Sequence, residues 1–375
     1  MGKTPLLFEK YPQLNGKIPF CRLGEYPSRV HRLDEVSKRT GAGIWIKRDD
    51  EASCVYGGNK CRMMEWIIPD AISRGRKSLV TWGALGSNQV LGSVIYGKRM
   101  GFDDISAVHN WQPYQPYVKR NFLISTSLGV KQFFSKNPLV YLVKLISIYL
   151  KKLFTGKKPY LVPLLGSSPL SVLSYFDAAL ELQQQVRAGE CPRPDYIYIT
   201  VGTGGTAAGL ILGSLVCGDI GTVVGVRVLE RIFVNEYMMA WEINRTLRYL
   251  RRHGVDVGIR RVCPRDINLI HDYIGEGYAE KTPEAIRSSE LLARDENINL
   301  DLTYTGKTMA AMLDNANNIR GRTFLFWHTL NSVNLGKFTG NLPGVDSLKP
   351  CFRKQFDNIP EIQYNKKCHV IVDKS

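Results

Sequence analysis

PDYIYITVGTGGTAAGLILGSL, residues Pro194 to Leu215, reads as a strand, a glycine loop and a helix with nothing between them. The strand half alternates aromatic and β-branched residues, and the helix half carries small and apolar residues. Glycines in VGTGGTAAG let backbone N–H groups turn toward a bound anion, and the helix N-terminus adds its partial positive charge. A phosphate is the natural guest. The same unit recurs outward from this stretch. GIWIKRDD (Gly43 to Asp50) is a strand ending in charge, and CRMMEWIIPDAISRG (Cys61 to Gly75) is a helix. SLVTWGALG (Ser78 to Gly86) is a strand with a glycine exit, followed by a helix from SNQVLG, and GTVVGVRVLE (Gly221 to Glu230) is another strand. Strand, turn and helix in alternation predict an α/β protein with parallel-type sheets flanked by helices.

The length of 375 residues predicts two domains. With 44% hydrophobic and 22% charged residues the composition excludes a disordered or fibrous chain. A net charge of +16 attracts anions and suits a phosphorylated or carboxylate ligand. Eight scattered cysteines form no CxxC pair, which predicts neither a disulfide framework nor a metal site. The opening residues lack the apolar run of a signal peptide, and a cytoplasmic protein is expected.

The most apolar stretch, PLVYLVKLISIYLKKLF from Pro138 to Phe154, is short for a membrane span and carries Lys144, so no membrane span is predicted. It reads as a helix packed on a domain surface, the alternative being a helix lying on an anionic membrane face. Seven arginines between Asn244 and Arg265 read as a solvated helical face, because the interleaved aromatics of a nucleic-acid stripe are missing. Helices are expected over Pro283 to Glu296 and Thr305 to Asn318, then a buried strand TFLFWHT and a polar tail after Phe338.

Three loops gather the chemistry. Gly202, Gly204 and Ala207 also satisfy G-x-G-x-x-A, and Glu230 ends the next strand where a dinucleotide fold keeps its ribose-binding acid, so NAD is an alternative guest. In YGGNKCR, Lys60 stands between a Gly-Gly pair and a helix start, beside Asn59. A lysine at a tight, apolar turn is a candidate Schiff-base former, although taken singly it reads rather as a surface lysine after a turn. ALGSNQ forms a further polar strand exit, and three such loops at strand carboxyl ends suit a ligand site in an open α/β sheet.

WIKRDD, GGNKCR, GSNQ, GSSPLSVLSYFDAALEL, VGTGGTAAGL, LDLTYTGKTMAAML and the His328-Thr329 pair occur in an order that resembles the D-cysteine desulfhydrase and 1-aminocyclopropane-1-carboxylate deaminase family. The resemblance implies a pyridoxal phosphate enzyme with the two-domain tryptophan synthase β-like fold, called fold type II. It displaces the NAD reading. It also implies roles. Lys60 holds the cofactor as a Schiff base and moves the substrate Cα proton. Asn88 hydrogen-bonds the ring oxygen, and Gly202, Thr203, Gly204, Gly205 and Thr206 cradle the phosphate. Ser87 sits by the substrate carboxylate, with Asn88 and Gln89 also on the substrate side, and Tyr278 and Tyr304 are the acid-base or orienting tyrosines. Thr305 or Thr329 offers a hydroxyl to the ring nitrogen where the deaminase branch has a glutamate, which favours β-elimination over cyclopropane opening.

The implied domains are a larger cofactor-binding one from 1–62 and 173–340, an inserted one from 63–172 and a tail from 341–375. The expected activity is α,β-elimination on a small β-substituted amino acid, giving a 2-oxo acid and ammonia, in a homodimer without nucleic-acid partners. A deaminase, a β-replacement synthase and a non-catalytic ligand-binding paralogue are the alternatives. Met63 stands where the family has a basic residue that contributes to phosphate binding, which predicts a weaker hold on the cofactor, and departures at Leu165, Gly86, Gln89, Leu330 and Asn331 predict a changed substrate.

Overall fold

The computed structural model describes residues 4–163 and 167–356. Among the described residues ten strands, β1 (Val30–Arg32), β2 (Gly43–Lys47), β3 (Ser78–Ala84), β4 (Asp104–Asn110), β5 (Lys131–Phe134), β6 (Pro159–Leu161), β7 (Tyr196–Val201), β8 (Thr222–Arg227), β9 (Asn268–Ile270) and β10 (Thr323–Trp327), form two sheets. The chain divides into two units, cut between Gly75 and Arg76, Val162 and Pro163, and Ser332 and Val333.

The first unit holds a six-stranded sheet in the order β1-β2-β10-β7-β8-β9. All its pairs are parallel except β1 with β2, so the sheet is mixed rather than wholly parallel. Side chains alternate across a strand. On β10, Phe324 and Phe326 enter a buried cluster with Ile44, Ile46, Met309 and Met312. Trp327, one place out of that phase, meets the other face, where its ring centroid lies 6.0 Å from that of Tyr175. Tyr175 belongs to the Pro169–Arg187 helix, which starts behind the Ser168 cap and is buried along nearly its whole length. A helix buried on every face is a core helix, and this one forms the spine of the unit.

The second unit holds a fully parallel sheet in the order β5-β4-β3-β6. The Pro138–Phe154 helix packs on it through Leu145, Tyr141, Ile148 and Tyr149 against Val80 and Val108. Only that half of the packed-helix expectation describes it, because the opposite face stands in solvent.

All three expected boundaries differ from the observed ones, and a cut at 172/173 would divide the Pro169–Arg187 helix, which belongs whole to the first unit. A cut at 62/63 would divide the Asn59–Ser73 helix, which is buried almost throughout and belongs whole to the first unit. Residues 333–356 join the second unit instead of closing the first or forming a tail. Their apolar side chains decide this: Phe352 and Phe356 are buried against Phe122, at ring separations of 4.7 and 5.4 Å. The rest of the expected tail, and Leu165, lie outside the described residues. Phe352→Ala should therefore destabilise the second unit by about 3–5 kcal/mol, the usual loss for an emptied aromatic core position. Urea unfolding followed by hydrogen exchange would measure it, and a loss below about 1 kcal/mol would return this segment to the status of a loose tail.

Candidate functional site

Parallel β2, β10 and β7 are adjacent, so their carboxyl ends lie side by side, about 4.8 Å apart per strand. The loops leaving those three ends carry Lys60, Thr329 and Gly202 respectively.

The lysine turn is built on backbone. Gly58 has φ +77°, and a Cβ on it would come within 2.4 Å of the Thr329 carbonyl oxygen, so only glycine fits. Its N–H donates to the Asp49 carbonyl (2.8 Å), and the Asn59 N–H donates to the Thr329 carbonyl (2.9 Å). Lys60 then enters the first turn of the Asn59–Ser73 helix, partly buried, with its amine 3.9 Å from the Met63 sulfur. Burial brings the Lys60 pKa down to about 8. Its amine is therefore far more often neutral near physiological pH than an ordinary lysine's, as a nucleophile requires.

The glycine loop lies within hydrogen-bonding reach of that turn. The Asn59 side-chain amide donates to the Thr206 hydroxyl at 3.0 Å. Gly204 caps the Gly205–Cys217 helix with φ +93° and no side-chain cap, so the first helical N–H groups remain available to an anion. A Cβ built on Gly202 meets no atom within 4 Å, which leaves open space in front of the loop. Ser167 donates to the Thr203 carbonyl at 2.7 Å. An uncapped helix start, open space and a neutral-prone amine tethered to the same loop suit a phosphorylated aldehyde.

Tyr278 and Tyr304 form a pair, hydroxyl to hydroxyl, with ring centroids 6.1 Å apart. The helix after Tyr304 is joined to the β7 strand leading into the glycine loop, through Thr308 and Thr200 hydroxyls at 2.7 Å. Thr305 differs from the expectation of a hydroxyl offered to a ligand. It is fully buried, and its hydroxyl donates to Asp301 at 2.6 Å. The Thr329 hydroxyl makes no hydrogen bond among the described residues, so it is the one left to offer. Glu230, the acid of the NAD alternative, instead accepts the Tyr278 N–H at 3.0 Å.

Ser87, Asn88 and Gln89 belong to the second unit, at the exit of β3. The Ser87 hydroxyl caps the following helix, Asn88 accepts from the Asn121 amide at 3.1 Å, and Gln89 is buried with an unpartnered side-chain oxygen.

The sequence reading missed the ionic support under the lysine turn. Asp49 accepts from Arg62, Ser28, Tyr175 and Trp327, and Glu181 accepts from Arg62 and Lys47, all of these residues being buried. Burial opposes the Asp49 charge, but Arg62, Lys47 and the Ser28 hydroxyl together hold its carboxyl well below the usual range. The available signal was Asp177 and Glu181 inside a helix pattern rich in apolar residues, where buried acids demand partners: Asp177 accepts the Leu7 N–H, and Glu181 takes the cations.

Comparison with known proteins agrees with this geometry. The pattern of the pyridoxal-phosphate dependent enzyme family matches residues 21–329. A Pyrococcus abyssi protein provisionally named a 1-aminocyclopropane-1-carboxylate deaminase is 29% identical over 90% of this chain and 96% of its own. A Klebsiella pneumoniae D-cysteine desulfhydrase is 28% identical over 84% and 94%. The crystal structure of an ACC deaminase homologue superposes with a TM-score of 0.72 at 29% identity, covering 87% of this chain and 95% of the other.

Two outcomes are expected from the lysine turn. Gly58→Ala should lower pyridoxal phosphate affinity at least about tenfold, because the turn must shift to relieve the Thr329 contact; equilibrium dialysis would measure it, and unchanged affinity would refute the constraint. Uptake of added pyridoxal phosphate by cofactor-free protein should quicken with rising pH and level off above about 8, where the Lys60 amine is neutral. A stopped-flow rate still climbing past about pH 10, as for an ordinary lysine, would contradict the assignment.

Proposed function

The chain belongs to the family of pyridoxal-phosphate dependent enzymes, and we propose that within it the chain is a lyase carrying out α,β-elimination on a small β-substituted amino acid, with release of a 2-oxo acid and ammonia. The observation that carries the reading is the bond from Asn59 to Thr206, which ties the lysine turn to the anion-binding loop. One amine and one phosphate cradle are thereby held within the span of a single small cofactor.

When bound, pyridoxal phosphate supplies the electron sink that stabilises negative charge at the substrate Cα. Lys60 would hold the cofactor through its side-chain amine, and the same amine would take the proton from the substrate Cα. Its depressed basicity suits both tasks near neutral pH. Backbone N–H groups from Gly202 to Thr206 and the following helix start would hold the phosphate. Tyr278 and Tyr304 are hydrogen-bonded hydroxyl to hydroxyl, so when one gives its proton to the departing group the other's O–H steadies the charge left on its oxygen, and the pair orients the leaving group. Ser87, Asn88 and Gln89 are assigned to the substrate carboxylate and ring oxygen, and Thr329 to the ring nitrogen.

Elimination is favoured over cyclopropane opening by what surrounds Thr305. The carboxylate beside it, Asp301, is occupied by the backbone N–H groups of Thr303, Tyr304 and Thr305 and by the Thr305 hydroxyl. No carboxylate of that turn is left to keep the ring nitrogen protonated, and a weaker sink suffices when a good β leaving group departs.

A panel of D- and L-amino acids bearing sulfur, chlorine or phosphoryl at Cβ, scored for ammonia and 2-oxo acid, tests the reading. Turnover of at least one is expected, with none of 1-aminocyclopropane-1-carboxylate. Lys60→Ala should remove the near-visible absorbance and cut the rate by more than about 10³-fold. Turnover of the cyclopropane substrate would move the chain to the deaminase side. Product formation only with an added nucleophile would make it a β-replacement synthase, and a colourless protein that takes up no cofactor would be a ligand-binding relative.

A further inference from the structure

The Pro138–Phe154 helix is apolar on both faces, and only one of them is used by the sheet beneath. Residues at helical spacing on the other face, Leu139, Val143, Ile146, Leu150 and Phe154, form one continuous stripe. Leu139, Val143 and Phe154 are exposed by 74, 60 and 83%. Leu142 and Leu153 widen the stripe on one side. At its entrance stands Trp111, half exposed, with the Lys136 ammonium 5.9 Å from its ring centroid. Contiguous apolar surface of this kind on a folded unit marks a contact face.

The surrounding charge identifies the contact. Between Asp104 and Asp177 the chain has no acidic residue at all, against nine basic ones: Lys119, Arg120, Lys131, Lys136, Lys144, Lys151, Lys152, Lys157 and Lys158. Lys152 is spent on Asp104 at 2.6 Å and Lys144 on the Phe134 carbonyl at 2.7 Å, but Lys136, Lys151 and Lys158 are exposed around the stripe. We propose that this face lies flat on an anionic lipid surface, the apolar stripe entering the acyl boundary and the lysines meeting headgroup charge. A second copy is a poor occupant. A two-fold contact would bring two copies of this wholly basic stretch together, with no acid between Asp104 and Asp177 to pair the lysines. The stripe itself, about 25 Å long and roughly 10 Å wide, offers some 250 Å², well short of the ~800 Å² per partner of a stable interface.

Co-sedimentation of the full chain with vesicles tests this. Binding is expected to vesicles of phosphatidylcholine containing about a quarter phosphatidylglycerol, weakening with added salt, and at least about tenfold weaker to phosphatidylcholine alone. Val143→Asp with Ile146→Asp should lower binding to the anionic vesicles at least about tenfold while leaving circular dichroism and basal turnover unchanged. Lys136→Glu with Lys151→Glu, which keeps the stripe, should abolish the preference for the anionic vesicles. Equal binding to both vesicle types, or none to either, overturns the proposal. A dimer that dissociates in the Val143→Asp, Ile146→Asp variant, without vesicle binding, overturns it in favour of a second copy.

Discussion

The Asp49 carboxylate is the point on which the cofactor side of the protein depends. One oxygen accepts from Ser28 at 2.7 Å and from Arg62 at 2.8 Å, the other from Arg62 at 2.9 Å and from Tyr175 and Trp327 at 2.8 Å. It therefore joins the segment before β1, the lysine helix, the spine helix and β10 through one side chain. Glu181 completes the cluster with Lys47, so two buried anions face two buried cations, and the Arg62 guanidinium lies 3.9 Å from the Tyr26 ring centroid. Such a cluster contributes little net stability beside a well-packed apolar core, but removing one partner leaves an uncompensated buried charge, typically at a cost of about 3–5 kcal/mol. Its value lies in geometry. The Asp49 carbonyl also receives the Gly58 N–H, which fixes where the lysine turn begins.

That arrangement explains how an unpaired amine survives two residues from four buried charges. Residues 60 and 62 on a helix point about 200° apart. Arg62 enters the ionic cluster, whereas Lys60 points away from it toward the sulfur of Met63. A basic residue at position 63 would bring a second cation to the same face and push the amine further toward neutrality; a thioether leaves burial as the sole cause of the shift. The departure at Met63 thus removes a charge from the face of the lysine helix that carries the amine, and with it one contributor to anion binding, while the glycine loop and its helix start remain.

The alternation of strands and helices was legible because apolar periodicity switches from two to about 3.6 at glycine turns, and the strand at Gly43, the loop at Val201 and the helix at Thr305 follow that signal closely. The sheet order was not legible from periodicity. Nothing local states that β10, from the end of the chain, inserts between β2 and β7, yet that insertion sets the Lys60 and Gly202 loops on either side of Thr329. Asp49 read as a charge at a strand end because its four donors come from positions 28, 62, 175 and 327. The domain boundaries misplaced the 333–356 segment because a short, polar-looking stretch hides four buried apolar residues, Leu335, Leu348, Phe352 and Phe356.

Thr305 shows why a residue's type and its role must be read separately. At the start of a helix a threonine can cap, and here its hydroxyl and three successive N–H groups converge on Asp301. The helix start is stabilised by the acid's charge and by these four donors together. A glutamate at 305 could not donate to Asp301 and would bring a second carboxylate to within the same turn, where like charges repel. It would have to turn outward, leaving Asp301 to the backbone alone. The choice between threonine and glutamate at this position therefore sets two things at once, the cap of the helix and the presence of a carboxylate free to reach a ligand, and the inward hydroxyl of this chain is the geometry in which none is free.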